Sequence, residues 1–476
     1  MSDVKKNIKT LGRRDIFLFC ISAVLLLDTL AAGAVMGPTI IFWWVILTVL
    51  FLIPFGAISI ELGSVYPEQG GIYAWVKRAY GQKMASRISW YYWANVAVWV
   101  PAIFILFSGV FSQIFFPEMS LSAQIVLGVV LIWVIVLVNT LALNVGKWIP
   151  NVGAAIKLVI FALLIFGGLS YGLENGIANE FTLATMIPST ENGGWSLQYL
   201  PAVVYGMLGF ELASASSAEM KNPKRDLPKA VFSSIAVVVG AYILATTAIL
   251  VAQPAGDVDV VDGLMDTLGK FFGGSAMGDA FVVVLGVGAL YTFFSNGATW
   301  AMGANRAAAE AAIDKELPAL FALETKHGTP VGAAILLGIA ASVLLIMYGV
   351  MAGNNEDLFW SLFAFSGVIF MLPYVAMCTA FIKIRESHIG STGQIADDGH
   401  FRFPGSPKVV KFFAYLCATI LTLTIILFIY TPGEGIAWEV LWGALTVIVM
   451  GEVITNSGRK QAQKTATEEV NSIPLN

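Results

Sequence analysis

The stretch Leu25–Pro38 reads LLLDTLAAGAVMGP. A carboxylate, Asp28, stands inside an apolar run, and Gly33, Gly37 and Pro38 follow it. A helix that crosses hydrocarbon without interruption avoids both charge and weak helix formers. The stretch belongs to a run near residues 15–40, longer than the roughly 20 residues that span about 30 Å of hydrocarbon. It reads as an interrupted span. A second stretch, Tyr205–Met220, reads YGMLGFELASASSAEM and repeats the combination with Gly206, Gly209 and Glu211, then a serine cluster. Interrupted helices at corresponding places in two halves of a membrane chain point to a transporter substrate site at mid-depth. The competing reading is a pair of kinked structural helices whose carboxylates are satisfied by neighbours. No repeat is visible by residue identity, so internal symmetry rests on the order of the spans.

The rest of the chain agrees with a membrane setting. Of 476 residues, 57% are hydrophobic and 12% charged, and the mean hydropathy is +0.78. A soluble chain carries about 25% charged residues. Apolar runs long enough to cross a bilayer recur throughout, which sets the class as an all-α polytopic membrane protein. Twelve spans are expected, near 15–40, 41–64, 84–115, 122–143, 150–171, 196–219, 228–252, 276–304, 331–351, 357–383, 409–430 and 435–455.

The loops give the orientation. Lys5, Lys6, Lys9, Arg13 and Arg14 precede span 1, and Lys77, Arg78, Lys83 and Arg87 follow span 2. Bases also follow span 6 (Lys221, Lys224, Arg225, Lys229), span 8 (Arg306, Lys315, Lys326) and span 10 (Lys383, Arg385, Arg402, Lys408, Lys411). The alternate loops hold almost none; Lys270 stands among Asp257, Asp259, Asp262, Asp266 and Asp279. The positive-inside rule then makes both termini cytoplasmic, which requires an even number of spans. The expected organisation is a cytoplasmic tail (1–14), five spans (15–171), an outer loop (172–195), five spans (196–383), a cytoplasmic loop (384–408), two further spans (409–455) and a cytoplasmic tail (456–476). The basic start MSDVKKNIKTLGRRD leads straight into span 1 and has no cleavable signal pattern.

Composition excludes several classes. Cys20, Cys378 and Cys417 lie in apolar runs without metal-ligand spacing and read as packing residues. The chain has no Walker-type phosphate loop, no H-E-x-x-H and only 3 His, which argues against ATP-driven transport and zinc chemistry. An enzyme is not expected, nor a cofactor or a nucleic-acid partner. The expected partners are a small-molecule substrate, protons and the lipid bilayer, in the cytoplasmic membrane.

One base is misplaced for a packing residue. Lys157 sits in the apolar run Val152–Leu169. A lone ammonium there costs at least a few kcal/mol, and burial favours the neutral amine, so the group is suited to exchanging a proton. The alternative is a lysine that snorkels to the nearer face.

Three motifs carry a family resemblance. ELGSVYPEQGGIYAWVKRAYG (Glu61–Gly81), GFELASASSAEMKNPKRDLPKA (Gly209–Ala230) and ANRAAAEAAIDKELPALF (Ala304–Phe321) occur in this order. With them the chain resembles the amino acid–polyamine–organocation transporters from roughly Leu11 to Ile384. The resemblance implies the leucine-transporter fold, with two inverted five-helix repeats plus two trailing helices, and alternating access. It matches Lys157 to the span 5 lysine of proton-coupled members, where the amine takes the place of a sodium ion. Trp300, in W-x-x-G-A-N-R, is similar to the span 8 tryptophan that lines the substrate site in the arginine–agmatine and glutamate–GABA exchangers. Tyr205 falls where a gating aromatic is found, and Glu211 matches a glutamate common across the superfamily. One departure is informative. Most members carry G-S/A-G at the span 1 break, whose bare amides bind a substrate carboxylate. Here Leu25, Leu26, Leu27 and Asp28 stand in that region. A negative side chain there favours a substrate with an exposed amine. The glutamate–GABA exchangers also lack the glycines, which keeps amino acids open.

Each remaining residue has two readings. Asp28 is a counter-ion or proton site, or the N-cap of the second half-helix. Trp300 stacks on substrate, or packs in the interfacial belt. Ser295 and Asn296 face the same cavity as Trp300, or bond between helices. Tyr91, Tyr92 and Trp93 are cavity walls or belt residues. Glu219, Asp226 and Arg306 are expected in weak ion pairs at the cytoplasmic ends. The function expected from all this is proton-linked secondary transport of an amino acid or a small amine derived from one. The alternatives are an obligate amino acid/amine exchanger and a non-transporting receptor of the same fold.

Overall fold

The structure is a computed structural model that describes residues 12–67, 71–141, 148–189, 197–215, 220–326, 328–387, 399–433 and 435–471. Glu219 lies outside them. Among the described residues, ten helices are long and apolar enough to cross a membrane. The runs expected as spans 1 and 6 are not among the ten, because each is broken. Span 1 folds as α1 (Arg13–Val24) and α2 (Leu30–Ala34).

Along the chain there follow α3 (Thr39–Val65), α4 (Ile72–Tyr80), α5 (Gln82–Phe115), α6 (Leu121–Leu141), α7 (Trp148–Asn175) and the short α8 (Leu183–Met186). Span 6 is α9 (Leu200–Tyr205) and α10 (Glu211–Ala215). Then come α11 (Pro223–Ala252), α12 (Gly263–Phe272), α13 (Ala276–Ile313), α14 (Val331–Met351), α15 (Asn355–Ser387), α16 (Pro407–Ile429) and α17 (Trp438–Asn471).

Local chemistry explains several boundaries. Pro223 and Pro407 open α11 and α16, where a missing N–H costs nothing. The Ser406 side chain accepts from Val409 N–H at the start of α16. α13 runs past the expected residue 304 because RAAAEAAI is built of strong helix formers that need no bilayer.

The chain divides into two compact units. The first holds Met1–Ala79, Gly153–Thr292 and Tyr374–Gly435; the second holds Tyr80–Val152, Phe293–Pro373 and Ile436–Asn476. In the first, α11 packs along α1, α2 and α3, and α9 packs on α16. Its core includes Phe51, Phe55, Trp75, Phe210 and Tyr242. In the second, α5, α6 and α14 pack mutually and α17 lies on α5, around Phe104, Phe359, Phe363 and Phe365. The central stretch of α5 is 89% buried, whereas those of α6 and α17 are 28% and 22% buried. Their exposed side chains are apolar, including Val126, Val130, Leu137, Trp442 and Val449. Apolar side chains facing outward in rows are what lipid contact requires.

Candidate substrate and coupling site

The first unit contains both breaks. α1 ends at Val24, and Leu25–Thr29 leave the helix before α2 begins. A helix interrupted in an apolar interior exposes backbone groups that must find partners. Two side chains from other helices supply them. Tyr242, on α11, accepts from Leu26 N–H at 2.8 Å, and its hydroxyl lies 3.0 Å from Val24 O and 3.2 Å from Leu26 O. Lys157, on α7, donates to Leu25 O at 3.1 Å. The one Tyr242 hydroxyl proton serves Val24 O or Leu26 O, and Lys157 serves the carbonyl between them. Tyr242 is itself fixed by stacking on Trp44 at 4.7 Å and by the edge of Phe161 at 5.8 Å.

Asp28 and Lys157 are both 2% exposed. The Asp28 carboxylate lies within electrostatic reach of the Lys157 amine and of the Tyr242 hydroxyl. The structure therefore brings together the two charged residues that the sequence singled out. Lys157 does not snorkel; its amine ends in the core of the unit. At the start of α2 the N-cap position is held by Thr29, which makes no side-chain cap bond.

The second break lies between α9 and α10. Gly209 has φ +115°, in the left-handed region, and a Cβ there would sit 3.2 Å from Val24 Cγ2. Glu211, also buried, closes the turn: its Oε2 accepts from Gly209 N–H at 3.0 Å. Its Oε1 accepts from the Tyr374 hydroxyl of α15 at 2.7 Å. Both oxygens are engaged, so the carboxylate holds the break in shape. Tyr205 is buried at the last residue of α9. α10 approaches α3 closely: Ser59 and Ser214 hydroxyls are 3.0 Å apart, and a Cβ on Gly63 would meet Ser214 Cβ at 2.5 Å.

The second unit contains the other expected site residues. Trp300 is half-buried on α13, with ring centroids of Tyr92 and Trp99 at 6.3 Å and Phe370 at 5.9 Å. Aromatic neighbours from α5 and α15 fix the indole while part of its surface stays accessible. Asn296 is buried about one turn before it. The Ser295 hydroxyl donates to Ile149 O of α7 at 2.8 Å, which is the interhelical alternative of the two readings. Of the span 3 aromatics, Tyr92 joins the Trp300 group. Trp93 donates to Asn305 Oδ1 at 3.2 Å, and Tyr91 is buried.

Sequence reasoning did not find Tyr242 or Tyr374. Each is a lone tyrosine in an apolar span, a pattern shared with interfacial and packing residues. Nor did it find the ion cluster at the basic end of the first unit. There Glu61, 3% exposed, accepts from Arg385, from Arg402 at 3.3 Å and from Phe403 N–H at 2.7 Å. Glu61 and Arg385 were visible only as parts of a loop motif and a basic loop.

A polytopic helical chain with two broken spans, and with a buried carboxylate and a buried amine at the first of them, has the build of a membrane transporter. Residues 11–451 match the amino acid permease family, and the chain belongs to that family, within the amino acid–polyamine–organocation superfamily. It is 30% identical over 446 residues to a probable agmatine/putrescine antiporter of Lactococcus lactis, covering 92% of each chain. It is 28% identical over 383 residues to an uncharacterised transporter of Legionella pneumophila, covering 80% of this chain and 82% of that one. A polyamine transporter of Oryza sativa is 29% identical over 321 residues, 65% of this chain and 56% of its own. The relatives are transporters and not enzymes.

Proposed function

We propose that the protein is a proton-linked secondary transporter of an amine derived from an amino acid, such as agmatine or putrescine. The observation that carries the amine reading is Asp28, a buried carboxylate at the span 1 break, where relatives that bind a substrate carboxylate present bare amides. A carboxylate there repels an α-carboxylate and attracts an ammonium. The likeness to proteins described as an agmatine/putrescine antiporter and a polyamine transporter supports the same substrate class.

Lys157 is the coupling group in this reading. Its amine touches the broken segment through Leu25 O, so gain or loss of its proton acts directly on the geometry of the break. A group that changes charge where two access states differ biases their populations. Tyr205 serves as an aromatic wall at the second break, and Glu211 and Tyr374 keep that break open. Each broken pair counts as one crossing, which brings the total to twelve, arranged as two groups of five plus two. The basic ends face the cytoplasm.

A second reading, exchange of one substrate for another, is favoured by the antiporter name of the Lactococcus relative and by Trp300. Uptake of labelled agmatine or putrescine into proteoliposomes separates the readings. A proton-linked carrier fills empty vesicles under a proton gradient. An exchanger fills only vesicles preloaded with amine or amino acid, and a receptor fills neither.

Trp300 gives a further expected outcome. Stacking of an ammonium or guanidinium on indole is worth about 0.5–2 kcal/mol. Trp300→Ala should therefore weaken apparent affinity roughly tenfold, about 1.4 kcal/mol, at near-normal expression. Unchanged affinity for every transported compound would restrict Trp300 to packing.

A further inference from the structure

The first unit has a cavity of about 360 Å³ outside the two breaks, within the lower part of the roughly 300–1,000 Å³ range of ligand pockets. Its walls are the turn Val35–Thr39 that follows α2, the segment around Glu180 and Thr185, Gln198 and Tyr199 before α9, and Ala255 after α11. These segments come from the end of the unit opposite its basic loops. The lining contains one acidic residue, Glu180, and no base.

The wall carrying Glu180 is fixed. Ala178 N–H donates to Val251 O at 3.0 Å. The Asn179 amide donates to Leu250 O at 2.6 Å and Gln253 O at 2.8 Å, and its oxygen accepts from Ala255 N–H. Thr185 hydroxyl donates to Glu180 O at 2.6 Å. These bonds attach the segment that carries Glu180 to the last turn of α11. The base on this side, Lys270, is spent elsewhere: it donates to Ala252 O and Gln253 Oε1, the C-terminal end of α11. Asp257, exposed two residues beyond Ala255, adds negative charge near the cavity. Glu180 is exposed, and a held cavity with an exposed carboxylate and no cation attracts a small cation.

We propose that this cavity is an accessory amine site, in which Glu180 is the counter-ion for one ammonium of a diamine before the molecule reaches the span 1 break. The inference rests on the amine reading given above. Such a site raises the local concentration of substrate and accelerates its capture, an effect that salt suppresses.

The test is the kinetics of labelled putrescine uptake into proteoliposomes at low and high ionic strength. The variants are Glu180→Gln and, as a control, Glu174→Gln. Glu174 is an exposed carboxylate at the end of α7 that is not part of the lining. Glu180→Gln should raise the apparent KM about threefold to fivefold at low salt, the range for a partly exposed ion pair, with the maximal rate unchanged. The difference should vanish at high salt, and Glu174→Gln should behave as wild type. An unaltered KM in Glu180→Gln overturns the site. So does an equal change in both variants, which would reduce the effect to surface charge. Failure of the wild type to carry any diamine is a different result: it removes the amine reading, and this site with it.

Discussion

Asp28→Asn is expected to lower kcat/KM for amines by about two to four orders of magnitude while leaving the protein folded. The substitution keeps the shape of the side chain and removes its charge. Asp28 is 2% exposed, and an ammonium that binds beside it is withdrawn from water. Removing one partner of such a pair costs about 3–5 kcal/mol, because the other charge is left uncompensated. Lys157 is within reach of the same carboxylate, so the variant also changes the setting of the Lys157 amine. Thermal stability and expression therefore need to be measured beside transport. A variant that is folded, and that carries amines as the wild type does, would mean that Asp28 serves only the protein.

Lys157→Ala is expected to abolish accumulation of substrate against its gradient when a proton gradient of either polarity is imposed. Counterflow of labelled for unlabelled substrate should survive better, because it needs no net proton movement. The side chain is the only one of the pair that can both donate to Leu25 O and change its charge by releasing a proton. Alanine removes both. Retained gradient-driven accumulation in the variant would sink the coupling role. Equal loss of both activities, with poor folding, would mean that the amine matters as a bridge between α7 and the broken segment. Methionine at this position keeps the bulk without the charge and separates packing loss from charge loss.

Much of the fold was legible because the bilayer imposes it. Span 9 was expected at 331–351, and α14 is Val331–Met351; Pro330 before it and the polar stretch after it mark both ends. The breaks were legible for a different reason. Asp28 and Glu211 in apolar runs, beside Gly206, Gly209 and Gly37, contradict a continuous helix, and the structure breaks both spans there. Helix length beyond the hydrocarbon was not legible. α17 continues to Asn471, well past the expected residue 455, because its water-side sequence is helical in its own right and hydropathy reports only the apolar part.

The site was legible in its charges and not in its supports. Lys157 and Asp28 stood out because a charge in an apolar run is costly wherever it ends up. Tyr242 did not, although it meets the backbone of the first break at three atoms. Its partners are more than 200 residues away in sequence, and nothing local distinguishes a tyrosine that caps a broken helix from one that packs. Glu211 illustrates the same limit. Its position marked the second break, but nothing local showed that its two oxygens accept from Gly209 and Tyr374. Ser295 likewise stood near Trp300 in sequence, and its hydroxyl is taken by Ile149 O.

A carboxylate at the span 1 break should select an amine over the amino acid from which it derives. The most direct measurement is competition in wild-type proteoliposomes between agmatine and arginine, and between putrescine and ornithine. Each pair differs by one α-carboxylate. The decarboxylated member should be preferred at least tenfold in kcat/KM, about 1.4 kcal/mol, and Asp28→Asn should erase the preference. Transport of the amino acid as well as, or better than, its amine would contradict it.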